Sequence, residues 1–277
     1  MLNVRSVADM ALAIANNLHR FDRTAFDVVI GIPRSGMLPA SIIATHLQLP
    51  LADPVGFTRG IVHGRSGAAV APGKRVLLID DTVNKGAAMA RASAQLPRDV
   101  KITRACIYGP YQVERPAEIV DISLEHCAGP RCFSWNLAKH IRLPRWGFDF
   151  DGVLCRDPQR EENDDGTRYA NFLATAEPIF IPQRPIGHIV TGRLEKYRGA
   201  TEAWLRRHGI GFQSLTMMTF ATKGERMAHG GRGQWKAEQA RRLGVEMFIE
   251  SCPKQAAIIA REAAIPVWCT ATQELAA

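Results

Sequence analysis

The stretch Val76-Leu77-Leu78-Ile79-Asp80-Asp81-Thr82-Val83-Asn84-Lys85-Gly86-Ala87-Ala88 runs from four apolar residues straight into two acids, a short turn and a glycine. An apolar run this short, bounded by polar residues, reads as a strand buried on both faces. In an open parallel sheet, ligands bind beyond the carboxyl ends of the strands. Two adjacent carboxylates placed there can accept hydrogen bonds from neighbouring ribose hydroxyls, and the amides of the turn can cradle a phosphate. The plain alternative is a solvated acidic turn with one acid capping the next helix. It does not account for two acids directly after a buried strand.

Outward from this stretch the pattern alternates. An amphipathic helix opens the chain, with Leu2, Val7, Met10, Ile14 and Leu18 at helical spacing, so the N-terminal segment does not read as a signal peptide. Asp27–Ile32 reads as a buried strand and Ser35–Leu47 as a helix, with Pro39 tolerated in its first turn. Residues 55–73 carry five glycines and read as a mobile loop. A helix over Gly86–Gln95 and a strand over Lys101–Tyr108 follow. Strands alternating with helices imply a parallel sheet. A second candidate anion loop, Gly31-Ile32-Pro33-Arg34-Ser35-Gly36, leaves the first strand. Its glycines let backbone approach an anion, the next helix offers free N–H groups, and Arg34 adds a bidentate donor.

A hydrophobic strand, two acids and a glycine-containing phosphate loop resemble the signature of the type I phosphoribosyltransferases. The resemblance covers about the first 125 residues. It implies that Asp80 and Asp81 hold the ribose hydroxyls of phosphoribosyl pyrophosphate (PRPP). It places the 5-phosphate on Thr82, Val83, Asn84, Lys85, Gly86, Ala87 and Ala88, and the pyrophosphate on Ile32, Pro33, Arg34 and Ser35. The loop at 55–73 would be a closing flap, with Arg59, His63 and Arg65 as its reaching cations. Lys85 and Ala88 depart from the family, which often has hydroxyl residues there.

Gly109–Pro116 and Gly129–Pro144 are rich in turn residues, which sets a domain boundary at 143/144 and gives domains 1–143 and 144–277. Alternation then restarts at Trp146-Gly147-Phe148-Asp149-Phe150-Asp151-Gly152-Val153-Leu154. Acids at i and i+2 of an extended segment face the same way. One can attack phosphorus while the other protonates the leaving oxygen. Two carboxylates facing a phosphate call for a divalent cation, and oxygen ligands suit Mg²⁺. Later strands end in Thr191-Gly192-Arg193 and in Glu250-Ser251, and Lys236 opens a helix after a glycine-rich segment.

These motifs, in this order, resemble the haloacid-dehalogenase (HAD) superfamily. The resemblance implies Asp149 as nucleophile and Asp151 as general acid/base, with Thr191 and Lys236 binding the phosphoryl group. The Mg²⁺ ligands it implies are Asp149, Glu250 and the backbone carbonyl of Asp151. Glu250 departs from the family's usual aspartate. The short spacing between the first two motifs leaves room for a small flap, about 156–168, but no large cap. The five acids of that flap read as a solvated loop rather than a metal site.

Both halves are therefore expected to be α/β, each a doubly wound parallel-sheet domain: the first phosphoribosyltransferase-like, the second a Rossmann-like HAD domain with a minimal cap. The formal net charge of +8 divides as 16 basic against 11 acidic residues over 1–140 and 19 against 16 beyond. No basic run marks a nucleic-acid surface, and the excess suits phosphate-rich substrates. Six scattered cysteines read as reduced thiols of a cytoplasmic protein. No apolar run reaches the roughly 20 residues of a membrane span, which leaves only peripheral contact with a lipid-linked acceptor. Together the motifs suggest a bifunctional enzyme. It transfers phosphoribose from PRPP to an acceptor and then removes the 5-phosphate. The fused arrangement resembles bacterial proteins that add ribofuranose to surface glycans on lipid carriers, and fusions that make nucleoside-like small molecules, which implies a surface glycan or small molecule as acceptor. Two readings stay beside it: a nucleobase-like acceptor, for which Trp135 is a stacking candidate, and a PRPP-sensing regulator. A homo-oligomer is left open.

Overall fold

A computed structural model describes residues 2–67, 70–109 and 118–276. The bulk of the chain forms two compact units, Arg5–Arg131 and Cys132–Ala277. The division falls before the 143/144 boundary read from turn residues. The reason is packing: Cys132 and Leu143 are fully buried in the core of the second unit, and Leu137 packs against it.

The first unit opens with α1 (Val7–Asn17). Its start is a capping box, in which Asp9 N–H donates to Ser6 Oγ at 2.9 Å and Ser6 N–H donates to Asp9 Oδ2 at 2.7 Å. Asp9 is thus the residue that starts the helix with Ser6. There follow β1 (Val28–Gly31), α2 (Met37–Leu47), β2 (Leu51–Ala52), α3 (Pro54–Thr58), β3 (Arg75–Thr82), α4 (Ala87–Gln95), β4 (Lys101–Tyr108) and β5 (Ile122–Glu125). The sheet order is β2-β1-β3-β4-β5 and every pairing is parallel. The apolar run that opens β3, Val76 to Ile79, is wholly buried, as a strand covered on both faces requires.

The loop expected over 55–73 is ordered at its start. Asp53 caps α3 by accepting the N–H groups of Val55 at 2.9 Å and Gly56 at 3.0 Å, Pro54 fits its first turn, and Phe57 is buried. An antiparallel bridge between Leu51 and His63 pins the next stretch. Residues 68 and 69 lie outside the described residues.

The second unit contains β6 (Trp146–Phe148), α5 (Thr167–Thr175), β7 (Ile186–Leu194), α6 (Arg198–Arg207), β8 (Phe212–Met218), α7 (Lys223–His229), α8 (Arg232–Arg242), β9 (Met247–Glu250), α9 (Pro253–Ala263), β10 (Val267–Cys269) and β11 (Glu274–Leu275). Its sheet order is β8-β7-β6-β9-β10-β11, parallel except for the final pair. The central strand β6 delivers Asp149 at its carboxyl end. On α8, Gly233, Lys236, Ala237 and Ala240 form the buried face at helical spacing. All six cysteines are free thiols, and only Cys252 is not buried. Among the described residues no helix is long and apolar enough to cross a membrane.

Candidate functional site

In the first unit, β1 and β3 are neighbours in register, with Gly31 opposite Ile79, and Ile32 N–H donates to Ile79 O at 2.9 Å. The two loops singled out in the sequence therefore leave the sheet side by side. A Cβ built on Gly36 would lie 2.9 Å from Asp80 Oδ1, so the turn after β1 rests against the acid pair. Ile32 and Pro33 share a cleft of about 280 Å³ with Ala88 of α4 and Pro54 and Val55 of α3.

Asp80 and Asp81 are both buried, at 8% and 3% exposure. Burial, and then the neighbouring Asp81, push the Asp80 carboxyl up to about 8. Asp80 Oδ1 accepts the N–H of Asp81 at 3.0 Å. The buried Thr82 hydroxyl has no hydrogen-bond partner among the described residues. Gly86 starts α4 with φ +83°, and a Cβ there would meet Ile119 Cγ2 at 2.5 Å. Arg131 donates to Val83 O at 2.9 Å and to Gly109 O at 3.2 Å, fixing the base of the loop between β3 and α4. Arg34, Asn84 and Lys85 are exposed.

The flap cations lie elsewhere. Arg59 is the exposed C-terminal cap of α3 and does not line the cleft. His63 and Arg65 line a separate cavity with Thr45 and Gln48 at the end of α2.

In the second unit, β6, β7, β9 and α8 bring Asp149, Thr191, Glu250 and Lys236 together. Lys236 Nζ lies 2.6 Å from Asp149 Oδ2 and 2.6 Å from Glu250 Oε2, and all three side chains are buried. The other Glu250 oxygen accepts the N–H groups of Ser251 and Cys252, each at 3.0 Å, and Asp149 Oδ1 accepts Phe150 N–H at 2.8 Å. Burial pushes the Asp149 carboxyl above the usual carboxylate range even against the attraction of Lys236. Gly152, at φ +74°, turns the chain where a Cβ would strike Ser251 at 2.5 Å.

Asp151 projects differently from Asp149. Its carboxylate is held by Arg193, with Nη2 at 2.6 Å and Nε at 3.1 Å. Arg193 is itself buried, with its guanidinium 3.8 Å from the Phe150 ring centroid; burial is the largest single influence and lowers its pKa, but the charge and hydrogen bonds of Asp151, with Cys155 and Tyr169, together raise it. Sequence reasoning quoted Arg193 but gave it no role.

The expected metal set of Asp149, Asp151 and Glu250 is not assembled as a cage. Its oxygens are of the kind Mg²⁺ takes, but each carboxylate oxygen of Asp149 and Glu250 already has a donor. The Asp151 carbonyl accepts Ser251 Oγ at 3.2 Å. Among the described residues no cluster of acids, histidines or cysteines is arranged to hold a metal. The buried ammonium of Lys236 lies between the carboxylates of Asp149 and Glu250.

The flap acids are mostly structural. Arg156 grips Glu162 through two bonds of 2.6 and 2.7 Å, Asp164 accepts the N–H of Gly166 at 2.9 Å and of Tyr169 at 3.0 Å, and Asp165 accepts from Tyr197 Oη at 2.7 Å and Lys196 Nζ at 3.0 Å. They clasp the insert rather than face solvent as a loose loop. The site opens into a cavity of about 290 Å³ whose lining includes five cations, Arg193, Lys223, Arg226, Arg232 and Lys236. The sequence reading named only the last for this role.

Residues 3–108 match the family model described as the phosphoribosyl transferase domain. The match supports a PRPP-dependent activity of phosphoribosyltransferase type for that part of the chain. Among solved structures, the chain is similar to the xanthine-guanine-hypoxanthine phosphoribosyltransferase of Helicobacter pylori, at 14% identity and TM-score 0.37, over 49% of this chain and 93% of that one. A purine phosphoribosyltransferase from Pyrococcus horikoshii Ot3 is similar at 17% identity and TM-score 0.35, over 48% and 92%. A chain of the Pnkp1/Rnl/Hen1 complex is similar at 16% identity and TM-score 0.31, over 97% and 94%. None of the curated proteins matches.

Proposed function

We propose that the chain is a two-step ribosylating enzyme. In the first unit an acceptor hydroxyl attacks C1 of PRPP, the C1–O bond to pyrophosphate breaks, pyrophosphate leaves with the bonding electrons, and the hydroxyl proton passes to the departing pyrophosphate or to water. Asp80 and Asp81 hold the ribose hydroxyls, the turn from Thr82 to Ala88 holds the 5-phosphate, and the backbone at Ile32 to Ser35 receives pyrophosphate. Mg²⁺ belongs to this step as the counter-ion of the pyrophosphate oxygens.

The second unit, read as a HAD-like phosphatase over about 144–277, then removes the 5-phosphate. Asp149 attacks phosphorus and the ester P–O bond breaks, with the leaving oxygen taking its proton from Asp151. Water then attacks phosphorus in the aspartyl phosphate, giving its proton back to Asp151 and freeing inorganic phosphate. Thr191 and Lys236 hold the phosphoryl oxygens, and Arg193 orients Asp151. The observation that carries this step is the buried Asp149–Lys236–Glu250 cluster at the floor of a cation-lined cavity. A nucleophile sits there beside fixed positive charge, as phosphoryl transfer requires.

For the acceptor we favour a sugar hydroxyl of a surface glycan. The cleft beside Ile32 and Pro33 has no aromatic face among its described lining on which a nucleobase could stack. Trp135, the stacking candidate, lies in the second unit against Phe133 at a centroid distance of 5.0 Å. The test is a screen of glycan and nucleobase acceptors with PRPP and Mg²⁺, read by mass. A mass gain of one ribose with release of both pyrophosphate and phosphate is expected from a glycan. Turnover of nucleobases alone would replace the acceptor, and pyrophosphate release that persists in EDTA would remove Mg²⁺.

A further inference from the structure

Resting on the phosphatase reading of the second unit, we infer that its substrate carries a second phosphate on the leaving group, which Arg226 and Arg232 bind. The phosphoryl end of the cavity is already furnished by Thr191, Arg193 and Lys236. Arg226 and Arg232 stand beyond it, on α7 and at the start of α8. Both approach Gly192, next to Thr191 in β7. A Cβ on Gly192 would lie 3.3 Å from Arg226 Nη1 and 3.6 Å from Arg232 Cδ.

Arg226 is only partly satisfied. Its Nη1 donates to Gly192 O at 3.1 Å, while its Nε–H is buried with no hydrogen-bond partner among the described residues. An unpaired buried donor on a cation costs free energy until something accepts from it. No carboxylate pairs with either arginine among the described residues. Burial and then the like charge of Arg232 lower the pKa of Arg226. Two arginines held together against their repulsion, without a protein carboxylate between them, form a receptor for an anion that accepts from both.

The acids lining the same cavity do not serve this role. Asp149 is engaged by Lys236, Asp151 by Arg193, and Asp165 by Lys196 and Tyr197. Asp157 lines the cavity beside Gly152 and feels the charge of Arg232, but makes no ion pair with it. The cavity also holds the buried Oε1 of Gln255, which has no donor among the described residues. An orphaned donor and an orphaned acceptor in one cavity suit a ligand bearing both phosphate and hydroxyl. A sugar bisphosphate has both. In the two-step scheme such a substrate arises when the phosphoribose is placed on an acceptor that is itself phosphorylated.

The probes are ribose 5-phosphate and ribose 1,5-bisphosphate, given to the full-length chain with release of inorganic phosphate followed. Wild type should prefer the bisphosphate at least tenfold in kcat/KM, through KM. Arg226→Gln should bring that ratio close to one, with Arg226→Lys, which keeps the charge and loses Nε–H, falling between. A wild-type ratio near one, or a ratio that Arg226→Gln leaves unchanged, overturns the inference while the phosphatase reading stands. Should wild type hydrolyse neither compound, that reading falls. Calorimetry of ribose 1,5-bisphosphate on an Asp80→Asn, Asp81→Asn chain then decides the inference alone. At least tenfold weaker binding after Arg226→Gln upholds it, and equal or absent binding overturns it.

Discussion

Lys236 Nζ sits 2.6 Å from Asp149 Oδ2, and it makes an equal contact with Glu250. One ammonium thus neutralises two buried acids from separate strands. Removing a partner from a buried ion pair costs about 3–5 kcal/mol, because a charge is left without compensation. Lys236→Met should destabilise the second unit by about that much. Adding Glu250→Gln to Lys236→Met should recover part of the loss, since one fewer acid then needs a counter-charge. Denaturant unfolding of the two variants and wild type measures this. Equal stability of Lys236→Met and wild type would mean the ammonium is not the cluster's organising charge.

The acid pair of the first unit makes a pH-dependent prediction. Folding raises the Asp80 carboxyl to about 8, chiefly through burial and then through Asp81. An acid whose folded pKa is raised stabilises the fold most below its unfolded value near 4, and that contribution is lost as pH rises through the folded value. Ligand-free Asp80→Asn should therefore gain stability over wild type, by about 1–3 kcal/mol at pH 8 and by less at pH 5. The same variant should bind PRPP more weakly, because the ribose hydroxyls lose a carboxyl oxygen of Asp80 as acceptor. Thermal unfolding at the two pH values and calorimetry with PRPP read both effects. A stabilisation that does not grow with pH would refute the linkage.

Asp149→Asn should separate the two reactions. Phosphate-monoester hydrolysis without catalysis is so slow that enzymes accelerate it by up to about 10²¹-fold, so loss of the nucleophile stops it on any laboratory timescale. With PRPP and acceptor, the variant should still release pyrophosphate and accumulate a phosphoribosylated product. Wild type should yield the ribosylated one. If both give the same phosphorylated product, the second unit acts on another substrate.

At Gly86 the phosphate loop depends on a left-handed backbone, and a Cβ would collide with Ile119. Gly86→Ala should cost about 1–3 kcal/mol and weaken PRPP binding by displacing the turn amides. Retained affinity would place the 5-phosphate elsewhere.

Much of this was legible before the structure. Four buried aliphatic residues in a row announced β3, whereas the extended segment read through Asp149 and Asp151 ends at Phe148, and the two acids face different partners, Lys236 and Arg193. Lys236 and Glu250 could be picked out by position. That one would bridge two acids could not, because the pairing depends on where α8 crosses the sheet. Arg193 and Arg226 were harder still. Arginine reads as surface in a sequence, and only tertiary packing puts one guanidinium against Phe150 and aims another into a cavity. The glycines of 55–73 suggested freedom from its start, whereas the local Asp53-Pro54 signal was enough to start a helix.

The cysteine pattern has a practical consequence. Burial raises the pKa of the thiols of Cys106, Cys127, Cys132 and Cys155, and Cys269 is enclosed, whereas Cys252 is half-buried and lines the cation-lined cavity of the second unit. The native chain thereby carries a single addressable attachment point, one residue from Ser251 and two from Glu250. A thiol-reactive fluorophore or nitroxide introduced under non-denaturing conditions should go there first, reporting occupancy of the cavity in the wild-type sequence.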